Sequence, residues 1–252
     1  KVLGFHHFHA DAAYLTKAPY FENAFVSPRT RNQSVDNLQN ETIISAQAGY
    51  KLQSPRVKAT FDVYYTEFRD QTEVRSFYFD GFRNFVNFVM TDIDKTHQGI
   101  EAGIEYEVLT GLTLSGVASL GYYRWTSRPN FSVYVDNSSE TLYKNETAYV
   151  KNFLVAGSPQ TALSAGIQYF APKYWWIGVN GNYLDHRYLQ VSALTRTVDA
   201  LAGMDRESEE FTELIHQEKL PESFMLNAFL GKSFRFDYKY YFGNSKNTGS
   251  GV

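Results

Sequence analysis

The chain has 252 residues, no cysteine and a formal net charge of −3 at pH 7. The lack of cysteine excludes disulfides, Cys-ligated metal clusters and thiol nucleophiles, and the weak charge offers no basic field, so no nucleic-acid partner is expected. Aromatic residues make up 17% of the chain, which argues against disorder. No apolar run reaches the roughly 18 residues of a transmembrane helix, but a spanning β-strand needs only about 9–11 residues of alternating character.

Side-chain polarity alternates with a period of two along most of the chain. In residues 56–69, for example, Val57 and Val63 share one face and Asp62 lies on the other. The same alternation recurs in seven further segments: 5–15, 41–52, 97–109, 111–124, 160–170, 174–184 and 223–236. This pattern predicts eight β-strands, and a ninth is expected to begin near Tyr238.

The links between the predicted strands are alternately short and long. The short links are 53–55, 110–111 and 171–173, and the long links are about 16–40, 70–96, 125–159 and 185–222. An up-and-down antiparallel sheet with tight turns at one end and long loops at the other has this order, as outer-membrane barrels do. We therefore predict an all-β fold, an antiparallel up-and-down transmembrane β-barrel.

The two faces of the strands are expected to meet different surroundings, because a membrane barrel turns its apolar face to lipid and its polar face to the lumen. The predicted lipid-facing residues are Val63, Ile100, Ile104, Leu163, Ile177 and Leu226. The predicted lumen-facing residues are Asp62, Glu101, Glu105, Glu107, Gln168, Asn180 and Asn182. Aromatic residues near strand ends, such as Trp125 and Trp175, match interfacial girdles. Small polar-face residues such as Gly99 and Ser115 would leave a narrow barrel hollow, which favours a wide one.

Few side chains point to catalysis or to metal binding. His7, His9 and Asp11 lie on the polar face of the first strand, where a His-x-His pair is able to hold zinc, but a polar rim is the simpler interpretation. The glutamates of residues 101–107 follow one strand and are interpreted as lumen lining rather than as a glycosidase pair. Phosphate-binding, nucleophile-elbow and dinucleotide motifs are absent from the sequence. We expect no enzyme activity, no catalytic residue, no cofactor and no resident metal.

The long links hold two further features. Residues 198–217 are acidic and have helix-forming composition, which predicts a short helix or a solvated loop face. Five arginines also lie in these links: Arg29, Arg31, Arg69, Arg75 and Arg83. They either steer an anionic ligand or pair with loop carboxylates, and pairing is the favoured interpretation.

Five short segments carry a resemblance to a known family. Residues 16–31 (TKAPYFENAFVSPRTR) are similar to an ordered loop after a barrel strand, and 41–50 (ETIISAQAGY) to a strand ending in Gly-Tyr. Residues 63–66 (VYYT), followed after a long link by 99–101 (GIE), resemble the next hairpin, and 220–224 (LPESF) the entry to a late strand. In this order they resemble the C-terminal part of the barrel of a TonB-dependent outer-membrane receptor.

The resemblance implies a barrel of about 22 strands, plugged by an N-terminal globular domain, in the outer membrane of a Gram-negative bacterium. Such receptors bind a scarce or bulky nutrient and import it with energy that the TonB complex delivers through the plug. Residues 1–242 are then expected to form about eight or nine of the strands and residues 243–252 a loop-like tail, with the plug outside this sequence. The nutrient is not readable from these residues. Two alternatives remain: a small autonomous outer-membrane barrel acting as adhesin or passive pore, and a soluble carbohydrate-binding β-sandwich.

The order of short and long links predicts which end of the barrel lies outside the cell. An epitope tag at Ser138, in the link 125–159, is expected to bind antibody on intact cells, whereas a tag at Ser54, in a short turn, is not. Permeabilised cells, in which both tags bind antibody, are the control. Access to Ser54 with protection of Ser138 on intact cells would reverse the predicted orientation.

Overall fold

The computed structural model describes residues 5–27, 29–136, 138, 140–190, 192, 194–197, 201–205 and 207–234, and these form a ten-stranded sheet and a separate two-stranded ribbon. Eight strands of the large sheet form its continuous path: β1 (Phe5–Lys17), β2 (Glu41–Gln53), β3 (Val57–Phe79), β4 (Asn84–Leu109), β5 (Leu112–Trp125), β8 (Thr161–Ala171), β9 (Trp175–Asp185) and β12 (Ser223–Lys232). The other elements are α1 (Phe21–Ala24), β6 (Asn130–Val135), β7 (Thr141–Thr147), β10 (Arg187–Tyr188), a 3-10 helix (Leu194–Arg196), α2 (Glu209–Ile215) and β11 (Lys219–Leu220).

The eight predicted strands and their antiparallel up-and-down order are confirmed. Each strand of the path pairs antiparallel with the next one, and all three predicted short links are tight turns. At the turn 110–111, Gly111 has a φ of 85°, a left-handed value that glycine adopts without a steric penalty. The proposed ninth strand near Tyr238 and the tail 243–252 lie outside the described residues.

The sheet does not close on itself within the described residues. Strand β1 is paired along one edge only, with β2, and β12 along one edge only, with β9. The chain therefore forms part of a barrel. The alternative of a soluble β-sandwich is wrong, because the meander is one continuous sheet and not two sheets packed face to face.

The strand register sorts the predicted residues onto two faces, since directly opposed residues of an antiparallel pair point to the same side. Val63 lies opposite Ile100, and Leu226 opposite Gly181. Followed across all pairs, the six residues predicted to face lipid share one side, and the seven predicted to face the lumen share the other. The residues of the first set are between 39% and 66% exposed, so no second layer of the described chain packs over this side of the sheet. That this side meets lipid stays a prediction.

The polar face is not hollow at its glycines, contrary to the expectation from composition. Tyr64 lies opposite Gly99, and Phe229 lies opposite Gly178. A Cβ atom on Gly99 would lie 2.6 Å from Tyr64 Oη, and one on Gly178 would lie 2.2 Å from the Phe229 ring. These glycines leave room for a ring from the neighbouring strand to lie flat against the backbone.

The prediction of a long link over residues 70–96 is wrong, because most of this segment is strand. Strands β3 and β4 continue past the rest of the sheet and meet at the turn 80–83. The alternation of polar and apolar residues is interrupted at two β-bulges. There Asp70 and Asp92 have φ values of 58° and 57°, and the register between β3 and β4 shifts. Each bulge changes which side the following residues face, so the period of two is hidden in the sequence.

The other long links also contain ordered structure. Strand β6 pairs with the outer part of β4, and β7 pairs with β6. These strands bury the main apolar cluster of the described chain, which includes Val86, Phe88, Phe131 and Val133. Within residues 198–217, the predicted helix is confirmed as α2, and Ser208 Oγ caps it by accepting a hydrogen bond of 3.1 Å from the Phe211 N–H. No helix among the described residues has the length and apolarity to cross a membrane.

A charge placed on the apolar face should destabilise the membrane-inserted barrel. We expect Ile100→Lys to lower the free energy of unfolding of the full-length protein in lipid vesicles by about 2–4 kcal/mol, because the ammonium group would have to enter hydrocarbon. Ser119→Lys is the matched control, since Ser119 lies opposite Glu101 on the polar face of the adjacent strand. Equal losses for the two variants in a denaturant titration would reject the lipid-facing assignment.

A methyl group on a polar-face glycine should be costly where a ring covers it. The Cβ of Gly99→Ala would lie 2.5 Å from the Leu120 carbonyl oxygen and 2.6 Å from Tyr64 Oη. Gly116, on the apolar face opposite Ile104, is the uncovered comparison, because a Cβ there would lie at an ordinary 3.5 Å from Ile104. We therefore expect Gly99→Ala to destabilise the receptor by about 1–3 kcal/mol, the usual range for overpacking, and Gly116→Ala to cost less. The same denaturant titration measures both, and a larger loss at Gly116 would contradict the packing described.

Candidate functional site

The candidate site is a cavity of about 460 Å³ at the end of the sheet that carries the long loops, called here the rim cavity. Its volume lies in the range of small-molecule sites. It is lined by Glu73, Arg75, Lys95, Trp125, Leu154, Val155, Ala156, Gly157, Arg187, Tyr188, Leu189, Gln190 and Leu220. The wall therefore combines charged groups with aromatic and aliphatic ones.

Four separate parts of the chain build the rim cavity. The extended β3–β4 hairpin provides Arg75 and Lys95, and Trp125 ends β5. Lys95 and Trp125 are register partners, so they lie on the same side of the sheet as Glu101, the polar side. The links after β7 and β9 provide the opposite wall, including Arg187. The cavity therefore opens on the polar side of the sheet, at its long-loop end.

The cationic side chains of the rim cavity differ in whether a carboxylate neutralises them. Arg75 forms an ion pair with Glu73. Among the described residues, no carboxylate forms an ion pair with Lys95 or with Arg187. Lys95 Nζ lies 4.5 Å from the centroid of the Trp125 ring, which gives a cation–π contact.

Arg187 has an unpaired donor inside the protein. Its Nη2 donates to the Pro221 carbonyl oxygen at 2.8 Å, but its Nε is buried without a hydrogen-bond partner. A buried donor that lacks a partner is unfavourable by about 1–3 kcal/mol. Because this Nε has no accessible surface, a ligand in the cavity would meet the guanidinium through its Nη groups.

Burial lowers the pKa of Lys95 from its ordinary value, against a smaller opposite effect of the Glu73 carboxylate. Lys95 lies at the long-loop end of β4, beyond the about 9–11 residues that cross a bilayer when counted from the turn 110–111. The lowered pKa means that the protonated ammonium group is poorly solvated there. A negative charge nearby would stabilise it.

A second cavity of about 320 Å³ adjoins the rim cavity, with Arg75, Trp125 and Gln190 in both walls. Its remaining lining is mostly apolar: Phe77, Phe88, Met90, Val150, Ser192 and Leu194. The two cavities together place an apolar recess beside a group of cations.

Gln217 fixes one wall of the rim cavity. Its Oε1 accepts from the Leu154 N–H at 2.8 Å, and its Nε2 donates to the carbonyl oxygens of Leu154 at 2.6 Å and Leu189 at 3.2 Å. One side chain thus joins the link after β7 to the link after β9. Arg196, which is 7% exposed, adds a bond of 3.2 Å to the His216 carbonyl oxygen.

The histidines of β1 are not gathered into a metal site. No group of three His, Cys, Asp or Glu residues suited to a metal ion occurs among the described residues. His7, His9 and Asp11 share one face of β1, and His9 Nε2 instead contacts Asp62 Oδ1 at 2.9 Å across the β2 strand. Gly49 lies between these two side chains and has no Cβ to separate them.

The predicted lumen-facing carboxylates each have a separate local partner. Glu105 forms an ion pair with Lys58 at 3.1 Å, and Glu107 Oε1 accepts from the Gly111 N–H at 3.1 Å. Glu101 Oε1 accepts a long hydrogen bond of 3.4 Å from Ser119 Oγ. They therefore line the polar face and do not converge on one point.

The amides and loop arginines follow the same rule of local pairing. Asn180 Nδ2 lies 3.5 Å from Asn182 Oδ1, on the face that also carries Gln168. The predicted pairing of loop arginines with carboxylates is confirmed for Arg69, which binds Glu67 at 2.8 Å, and for Arg75. Arg31 instead donates to the Val135 carbonyl oxygen.

Sequence reasoning missed Lys95 and Arg187 and misassigned Trp125. Trp125 is only 6% exposed and lies in the cavity wall, so it does not belong to an interfacial girdle. The cavity residues come from links that are distant along the chain, and no motif relates them. The sequence does contain one signal: Trp125 is an even number of residues from Ser119 and Tyr123 and therefore lies on the polar face of its strand. An interfacial residue that contacts lipid would lie on the other face.

Comparisons with known proteins agree with this fold. The family profile described as "TonB dependent receptor-like, beta-barrel" matches residues 7–247. A solved structure named "Copper transporter OprC" superposes with a TM-score of 0.55 at 14% sequence identity, covering 88% of this chain and 28% of that one. A search of curated protein sequences finds no match. The chain belongs to the TonB-dependent receptor-like β-barrel family, and it spans about a quarter of the length of the transporter it resembles.

Loss of the Gln217 amide should loosen the wall of the rim cavity. In Gln217→Leu the Leu154 N–H loses its acceptor, which is expected to cost about 1–3 kcal/mol and to raise the hydrogen-exchange rate of that amide about 10- to 100-fold. Gln190→Leu, an exposed glutamine at the same cavity, is the matched control. An unchanged Leu154 exchange rate in Gln217→Leu would contradict the clamp.

Proposed function

We propose that the chain is the C-terminal barrel portion of an outer-membrane receptor that imports a nutrient ligand with energy from the TonB complex. The observation that carries the proposal is an unclosed antiparallel meander with an uncovered apolar face, in a chain whose residues 7–247 match the receptor-barrel family. We assign residues 1–242 to the barrel and 243–252 to a tail. Further strands beside β1 and β12 complete the barrel, and a plug domain elsewhere in the receptor fills its lumen.

The position of the rim cavity supports a role in ligand capture. It lies at the end with the long loops, which in outer-membrane barrels is the extracellular end. It also opens on the polar side, which carries Asp62, Glu101 and Asn180 and which we assign to the lumen. A ligand arriving from outside would reach this cavity before the plug.

Copper is not proposed as the cargo, although the solved structure with a similar fold is named a copper transporter. Within the described part of the chain, the rim cavity presents Arg75, Lys95 and Arg187 against one carboxylate, that of Glu73. A wall with this charge repels a free metal cation. We also propose a receptor rather than an enzyme, since the carboxylates of the polar face are engaged separately.

Depletion of the growth medium tests the proposal in the native bacterium. A strain with the receptor gene, a strain without it and a strain without TonB are grown in the same medium, and small molecules remaining outside are measured by mass spectrometry. We expect at least one compound to be removed only when both receptor and TonB are present. Identical depletion in all three strains, with the receptor found in the outer membrane, would contradict uptake.

A further inference from the structure

We propose that the rim cavity binds an amphiphilic organic anion, with its carboxylate or phosphate-like group at Lys95 and Arg187 and its apolar part against Trp125. This inference rests on the proposed function for the ligand's route, and it adds the chemical class of the ligand. It is built from three independent features of the cavity wall.

The first feature is the excess of positive charge. Of the described residues, three cations and one carboxylate line the cavity, and the carboxylate of Glu73 is already engaged by Arg75. Lys95 and Arg187 thus remain without an ion-pair partner among the described residues. Uncompensated charges that are partly removed from water favour a bound counterion.

The second feature is the geometry of the donors. Arg187 presents a guanidinium whose Nε is buried without a partner while Nη2 is held by the Pro221 carbonyl oxygen at 2.8 Å. A guanidinium held in this way is oriented before the ligand arrives, and the remaining N–H groups of its Nη atoms donate well to a carboxylate or phosphate oxygen. A sugar hydroxyl would not neutralise the charge.

The third feature is the apolar surface next to the cations. Trp125 lines both the rim cavity and the adjoining recess that Phe77, Phe88 and Met90 line. Burial of an aromatic or aliphatic group there would add affinity that an inorganic anion does not gain. The combination selects a ligand with one anionic end and one apolar end.

Binding of small fluorinated probes to the purified full-length receptor in detergent tests the class directly. The probes are 4-fluorophenylacetate, the cationic 4-fluorophenethylamine and the neutral 2-(4-fluorophenyl)ethanol, each followed by ¹⁹F line broadening up to about 10 mM, a range suited to fragments of this size. We expect the anion to bind at least about tenfold more tightly than the other two. Equal affinities, or no broadening by the anion, would overturn the inference.

Variants locate the binding to the cavity. Lys95→Met and Arg187→Met are each expected to weaken binding of the anion about tenfold and to leave the alcohol unchanged. Arg69→Met is the matched control, because Arg69 is already paired with Glu67 and does not line the cavity. Heat-modifiable gel mobility confirms that each variant is folded, and Lys95→Arg, which keeps the charge, should retain binding. Unchanged anion affinity in both folded Met variants would overturn the site.

The readout separates this inference from the proposed function. Binding to the purified receptor does not require TonB, so anion binding without TonB-dependent depletion of any compound would contradict uptake alone. Conversely, if TonB-dependent depletion is observed but the anion does not bind, only the proposed ligand class is contradicted.

Discussion

The structure depends on one constraint, which is that every backbone N–H and C=O inside a membrane must find a partner within the protein. An antiparallel meander satisfies this between neighbouring strands, and all pairings from β1 to β12 follow it. The two outermost strands are the exception, since each is paired along one edge only in the described chain. An unpaired group in hydrocarbon is unfavourable by several kcal/mol. The edges at β1 and β12 are therefore where the remaining strands of the barrel must join.

The same constraint fixes the membrane-spanning part of the chain but not the residues that line the rim cavity. Within the sheet, strand pairing and the period of two leave little freedom, and even the glycines of the polar face serve packing, as Gly99 does beneath Tyr64. At the long-loop end of the sheet, the β3–β4 hairpin extends past the neighbouring strands, and the hairpin and the links packed on it bury their own apolar cluster. There the chain is free to bring together side chains such as Lys95 and Arg187 from distant positions. The proposed ligand site thus lies in the part of the chain that the membrane does not constrain.

This division explains how much could be predicted from the sequence. The strands, their faces and their order follow from the alternation of polar and apolar residues and from link length. The sequence therefore predicts Val63 and Ile100 on one side of the sheet and Asp62 and Glu101 on the other, and the strand register agrees. The extension of the β3–β4 hairpin is not predictable in this way, because bulges at Asp70 and Asp92 shift the alternation of polar and apolar residues. The rim cavity was missed for a different reason, since tertiary packing and not local pattern joins Trp125 to Arg187.

The most direct test of the account is whether these 252 residues alone make a stable inserted barrel. The chain is refolded into detergent and into lipid vesicles, and its mass, heat-modifiable gel mobility and channel activity are measured. Because no described strand pairs with the outer edges of β1 and β12, and open edges template association with other strands, the account predicts aggregation or edge-to-edge oligomers and no inserted monomer. A monodisperse, heat-modifiable monomer with single-channel conductance would contradict it and would favour a small autonomous barrel.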